Sequence, residues 1–240
     1  MSDSVRSPLQ YLLWPYPQRT RSAITADFPG AAVPPGSRVR FTARGASITG
    51  VVAELQAARA VVLAGDAGRW QVPYRLLEVV ERVPERECTL ADVEMLARRL
   101  LARHQAQSGL GTLWTFGFDL STSRAGVCRY RDQRIDLSVS YCLRATRADI
   151  ENTLLHEIAH AIVGIEHGHD AVWKAKAHEI GCTAERCHGV THTVARWVGE
   201  CGCRRQWFRQ RLSRRLRTGA ICKACGRRIE WRWNTDGAAD

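Results

Sequence analysis

His156-Glu157-Ile158-Ala159-His160 sets two imidazoles four residues apart with a carboxylate between them. On a helix, residues four apart share a face, so both rings can grip one ion. Glu157 then projects beside the open coordination position, where a carboxylate can take a proton from a bound water. The surrounding Leu154, Leu155, Ile158 and Ala159 are apolar, so this helix belongs in a core. Unpaired histidines and a glutamate would be costly there. The pattern points to metal-assisted hydrolysis.

A catalytic zinc takes three protein ligands and keeps a fourth position open. His167, His169 and Glu179 compete for the third place. In H-E-x-x-H-x-x-G-x-x-H proteases the third histidine follows a glycine at fixed distance, but here Gly164 and His167 each fall one residue late. Glu179 lies on the following predicted helix. His169 opens His169-Asp170-Ala171-Val172-Trp173, where a turn into that helix can bring the chain back toward the metal, and it is the preferred candidate.

A second constellation lies near the C-terminus: Cys201-Gly202-Cys203, then Cys222-Lys223-Ala224-Cys225-Gly226. Two such pairs can supply four thiolates to a closed tetrahedral zinc, and so short and charged a segment could hardly build a core without one. Between the pairs lie Arg204, Arg205, Trp207, Phe208, Arg209, Arg211, Arg214, Arg215 and Arg217, with Trp231 and Trp233 beyond. Arginine interleaved with aromatics suits phosphate contacts and base stacking. Cys182, Cys187 and His188 also cluster, but three nearby ligands are read as buried or adventitious thiols rather than a further metal site. Cys88, Cys128 and Cys142 read as core, and His104, His178 and His192 as surface or packing residues.

Elements that could position these groups follow from capping signals and periodicity. Thr89 with Asp92 predicts a capped helix running to about Gln107, and Thr146 with Asp149 predicts the helix that carries His156 and His160. Between them, Leu113–Asp119, Gly126–Tyr130 and Arg134–Val139 read as strands. A last helix is predicted over Asp170–Ile180, ended by Gly181. Upstream, Arg38–Thr42, Ile48–Leu55, Arg59–Ala64 and Arg69–Val72 alternate with glycines, the spacing of a small meandering barrel. Trp14-Pro15-Tyr16-Pro17 and Val33-Pro34-Pro35-Gly36 favour extended or turn conformations.

These signals divide the chain into an arm or linker (1–35), a small β-barrel (36–86), an α+β core (87–198) and a basic cysteine-rich segment (199–240). The net charge of +11 is not evenly spread. Residues 87–198 carry 13 basic and 13 acidic side chains, whereas 199–240 carry 11 and 4, a net of +7. A polyanionic partner is therefore expected at the C-terminal segment. With 45% hydrophobic and 25% charged residues the chain is globular rather than disordered. It shows neither a signal peptide nor an apolar run of the ~18 residues a membrane span needs, so a cytoplasmic, nucleoid- or DNA-associated location is expected, without membrane contact. The nine cysteines are then read as ligands or thiols rather than disulfides.

The run His156 to Ala161, followed by Gly168-His169 and Trp173, resembles the SprT-like, or Spartan-type, metalloprotease family. So do Phe116-Gly117-Phe118-Asp119, Arg124-Ala125-Gly126-Val127-Cys128 and Ile135-Asp136-Leu137-Ser138, and so does the C-x-C, arginine-rich stretch and C-x-x-C-G of the C-terminus. The resemblance implies a zincin-like core of helices with a small antiparallel sheet, followed by a zinc ribbon; the barrel that precedes it reads as SH3-like, since Val72-Pro73-Tyr74-Arg75-Leu76-Leu77 resembles the last turn of such barrels. The family resemblance gives His156, His160 and His169 as ligands of a catalytic zinc, Glu157 as general base, and Cys201, Cys203, Cys222 and Cys225 as ligands of a structural zinc. It also implies peptide bonds as substrate, in proteins on or crosslinked to DNA; the arginine and aromatic pattern itself makes Arg204, Arg205, Trp207, Arg209, Arg211, Arg214 and Arg215 the candidate contacts to single-stranded or junction-containing DNA. Tyr130 and Arg134 are candidate donors to the oxyanion. The rival reading is a DNA-binding adaptor or regulator whose metal site is structural or nearly idle; an intact Glu157 argues against it.

Overall fold

The computed structural model describes residues 24–82, 88–185 and 194–235. Most of the predicted arm, including Trp14 and Tyr16, lies outside these residues, as do Cys187, His188 and His192.

The first unit is an antiparallel meander of β1 (Arg38–Ala43), β2 (Ala46–Leu55), β3 (Arg59–Leu63), β4 (Arg69–Pro73) and β5 (Glu78–Glu81), in the order β4-β3-β2-β1-β5. The expected closed barrel does not form; β4 and β5 are the two edges of an open sheet. Pro73 ends β4 without a ladder donor, and a 3-10 turn over Tyr74–Leu76 carries the chain to the far edge. There β5 is exposed along its whole length, so it offers no apolar face that could draw the two edges together.

The second unit starts with α1 (Leu90–Gln107), opened by a reciprocal Thr89–Asp92 capping box. Such a cap is worth about 1 kcal/mol. A three-stranded sheet follows: β6 (Thr115–Asp119), β7 (Gly126–Arg129) and β8 (Arg134–Ser138), in the order β6-β8-β7. The expected antiparallel sheet is in fact mixed, since β6 runs parallel to β8 and only β7 is antiparallel to it. The reason is topological: the short link 120–125 reverses the chain, so β7 runs against β6, and β8, the hairpin partner of β7 placed between them, runs with β6. Ile135 and Leu137 turn to the core, while Arg134 and Asp136 turn to the other face, where Asp119, Asp136, Arg124, Arg129 and Arg134 form an ion-pair network. A one-turn helix, α2 (Val139–Cys142), capped by Ser138 and fully buried, has no counterpart in the sequence expectations.

Next comes α3 (Arg147–Val163), opened by the Thr146–Asp149 capping box and stopped at Gly164, whose φ of 93° suits glycine. The shorter α4 (Ala171–Glu179) is capped by Asp170, whose Oδ1 accepts a 2.9 Å hydrogen bond from the Trp173 amide. The C-terminal unit is an antiparallel sheet in the order β10-β9-β11, made of β9 (Trp197–Glu200), β10 (Gln206–Arg209) and β11 (Glu230–Trp233), with α5 (Arg214–Gly219) between the last two in sequence.

One buried cluster runs from Val39, Val52 and Leu55 of the first sheet through Leu96 and Leu100 of α1 to Ile158 of α3 and Trp173 of α4. A smaller one joins the first sheet to the C-terminal unit: Ala53 and Leu63 meet Val194, with Trp233 packed against them. An ion pair between Arg196 and Glu54 closes the same junction. No helix among the described residues is long and apolar enough to cross a membrane.

Candidate metal centres

Because α3 is a regular helix, His156 and His160 emerge one turn apart, their ring centroids 5.1 Å from each other. The turn after Gly164 swings the chain back and delivers His169 to the same spot. His169 Nε2 lies 3.0 Å from His156 Nε2 and 3.2 Å from His160 Nε2. Nitrogens held at ~2.0–2.1 Å from a tetrahedral zinc stand roughly 3.3 Å apart, so the three rings fit one such ion. Burial, with His169 close by, depresses His160 to a pKa of about 4, which keeps it neutral, as a ligand must be. Trp173 lies beneath all three rings, 1% exposed, with centroids 4.6, 5.1 and 4.6 Å from His156, His160 and His169.

The other candidates for the third place are engaged elsewhere. His167 Nδ1 is 2.8 Å from Asp170 Oδ2 at the α4 cap. Glu179 accepts from Lys176 Nζ at 2.7 Å.

Glu157 is 8% exposed and lies against β7. It accepts from the Cys128 backbone amide, and burial raises its pKa from 4.5 to about 7, against the opposing pull of that hydrogen bond and of Arg124. Gly126 makes the approach possible: a Cβ there would stand 3.0 Å from Glu157 Cγ and Oε1 and 2.9 Å from Leu137 Cδ2. No signal in the sequence assigns Gly126 or the Cys128 amide to Glu157, because the contact joins segments some thirty residues apart. Of the two candidate oxyanion donors, Arg134 is held by Asp136 on the opposite face of the sheet, its Nε 2.5 Å from Oδ1. Tyr130 stays on the Glu157 side, its hydroxyl donating to the Gly164 carbonyl at 3.3 Å.

Residues 97–195, from within α1 to just before β9, match the SprT-like family. This segment is a SprT-like domain. No curated protein and no solved structure matches the chain. The family is associated with zinc metallopeptidase-like activity, and the histidine cluster with Glu157 sits wholly inside the matched residues. The first sheet and the cysteine-rich unit lie outside the SprT-like domain.

That cysteine-rich unit gathers a second set of ligand atoms. Two turns, over Cys201–Arg205 and Cys222–Arg227, are each closed by backbone hydrogen bonds around their first cysteine. They bring the four sulfurs within 4.8 Å of one another. Cys203 and Cys222 are 3.8 Å apart and Cys201 and Cys225 3.9 Å, with Cys201 and Cys203 closer at 2.8 Å. Sulfurs about a tetrahedral zinc stand ~3.8 Å apart, so this cluster can hold zinc. Arg204, with φ of 61°, occupies the tight position of the first turn.

Arg204, Arg205, Arg209, Arg211, Arg214 and Arg215 are all exposed on this unit. Trp207 is half-buried and packs with Trp231 against Cys201, Cys222 and Ile229. Farther along the same sheet face, Trp197 and Trp233 stack at 4.0 Å, and the Arg217 guanidinium sits 5.2 Å from the Trp197 ring centre. Cys88, Cys142 and Cys182 are buried, and so is His104, whose Nδ1 is 2.9 Å from Ser108 Oγ.

Proposed function

We propose that the chain is a zinc-dependent metallopeptidase that cleaves proteins bound or crosslinked to DNA, directed there by a basic zinc ribbon. The observation that carries the hydrolase reading is Glu157, a carboxylate buried against β7 beside three convergent imidazoles. A purely structural metal site has no use for such a group, and burying it is costly.

His156, His160 and His169 would hold the catalytic ion. When bound, zinc supplies Lewis acidity, lowering the pKa of water and polarising a carbonyl. Glu157 takes the proton of the attacking water, keeps it on its carboxylate, and gives it to the leaving amine. The Cys128 amide and the lack of a side chain at Gly126 fix the position from which it does so. β7 is the outer strand of its sheet, and an extended peptide laid along it would be presented to this carboxylate. Cys201, Cys203, Cys222 and Cys225 would hold a structural zinc. Exposed arginines on a unit with net charge +7 support a phosphate backbone as partner.

The test is cleavage of a protein substrate by zinc-loaded wild type and Glu157→Gln, each with and without single-stranded DNA. Wild type should cleave, DNA should stimulate it, and the variant should lose at least ~10²-fold in rate while keeping its metal. A zinc-replete wild type that cleaves nothing with or without DNA would refute the peptidase reading and leave the adaptor.

A further inference from the structure

We propose that Tyr130 is a catalytic residue of the SprT-like domain, its phenol donating a hydrogen bond to the carbonyl oxygen of the scissile peptide as that oxygen gains charge. The assignment rests on the metallopeptidase reading and adds to it a residue that neither the motif nor the family match supplies.

Gly126 and Cys128 alternate on β7 and so face the same way, and Tyr130 follows in the turn just beyond the strand, its hydroxyl hydrogen-bonded to the Cys128 side chain. The first two define that face. The Cβ position of Gly126 is 3.0 Å from Glu157 Oε1, and Cys128 is the residue whose amide binds Glu157. The Cys128 thiol and the Glu157 carboxylate both act on the Tyr130 phenol, which places it on the side of the sheet that faces the general base.

Its hydroxyl has two partners, the Cys128 thiol and a backbone carbonyl. It donates to the carbonyl of Gly164, the residue that ends α3 one turn beyond His160, at 3.3 Å, the long end of the hydrogen-bond range. The ring is held edge-on to Trp114 at 6.2 Å, so the phenol can exchange partners while its body stays packed. Burial, with the Cys128 thiol and the Glu157 and Glu166 carboxylates nearby, pushes Tyr130 up to about 12. It therefore remains a donor over the whole range in which a metallopeptidase works.

The reaction needs such a group. As water adds to a peptide carbonyl, charge builds on the oxygen, and a donor aimed at that charge is commonly worth ~10²–10³ in rate. Arg134 cannot serve, because its guanidinium is bound to Asp136 across the sheet.

Tyr130→Phe keeps the ring and its contact with Trp114 and removes only the hydroxyl. The expected result is a fall in kcat of roughly 10²-fold, with zinc content, melting temperature and KM close to wild type. Affinity for a phosphinic peptide, which carries the tetrahedral oxygens, should fall by a similar factor, while affinity of Glu157→Gln for the uncleaved peptide should be unaffected by adding Tyr130→Phe. Full activity of Tyr130→Phe beside an active wild type would overturn the role of Tyr130 alone. Equal loss of phosphinic and uncleaved peptide binding would overturn it too, showing that the hydroxyl only pins Gly164. An inert zinc-loaded wild type would instead remove the peptidase reading, and Tyr130 with it.

Discussion

Gly126→Ala tests whether the position of Glu157 is set by β7. The added methyl would stand 2.9 Å from Leu137 Cδ2 and 3.0 Å from both Cγ and Oε1 of Glu157. Carbon atoms in contact prefer ~3.5–4.0 Å, so the overlap is roughly half an ångström or more on two sides. Leu137 is completely buried and has nowhere to go. Relief must come from moving the Glu157 carboxylate or from parting β7 and α3, and either stretches the bond from the Cys128 amide. Overpacking of this kind costs ~1–3 kcal/mol, a fall in melting temperature of roughly 2–12 °C for a chain of this size. The catalytic effect should be disproportionate. Since a misplacement of ~1 Å can cost 10²-fold, kcat should fall roughly 10- to 100-fold. His156, His160 and His169 are untouched, so zinc measured by mass spectrometry should stay at the wild-type level. A variant with full zinc and kcat within about twofold of wild type would show that contact with β7 does not position the base.

Three further outcomes follow from the two clusters. Purified protein should carry about two zinc ions per chain, with His160→Ala losing one and Cys222→Ser the other; a wild-type count near one would mean that one cluster does not bind. In zinc-stripped protein, the raised pKa of Glu157 means that stability is fully present below about pH 4.5 and is lost as the pH rises through about 7. That loss is on the order of 3 kcal/mol, so denaturant titration should find metal-free Glu157→Gln more stable than metal-free wild type at pH 8 and little different near pH 4; equal stabilities at pH 8 would contradict the burial argument. DNA affinity should fall steeply with salt, with a slope corresponding to about 4–6 phosphate contacts, and reversing Arg204 and Arg205 should flatten it by about two; an unchanged slope would move the contact surface away from the first cysteine turn.

The helices of the SprT-like domain were legible because both ends of the argument are local. Thr89 and Asp92, or Thr146 and Asp149, sit three residues apart and cap their helices as that spacing requires. The meeting of His156 with His160 follows from helical pitch alone. What escaped the sequence depends on the return path of the chain. Strand periodicity says that β6, β7 and β8 exist, but not that β8 inserts between the others and runs parallel to β6. Glycine spacing marks the meander, but closure turns on whether β5 has an apolar face, and Glu78-Val79-Val80-Glu81 lies exposed. The packing of Trp207 on the cysteine cluster, and the stacking of Trp197 on Trp233, depend on the register of β9 with its two neighbours, which no local spacing reveals.

The junction of Glu54 with Arg196, and of Ala53 and Leu63 with Val194 and Trp233, bears on what the proposed peptidase would cut. Through it the basic unit rests on the first sheet, and that sheet shares its buried cluster with α1 and α3. A nucleic acid held on the arginines would thus stand at a set offset from Glu157, as work stands against the stop of a saw bench. Cleavage sites would be chosen by their distance from the point where a protein meets the DNA, with little regard to the residues on either side of the bond. Fragments left on the DNA should then share a length rather than a sequence, and loosening the stop by Arg196→Ala should broaden that length.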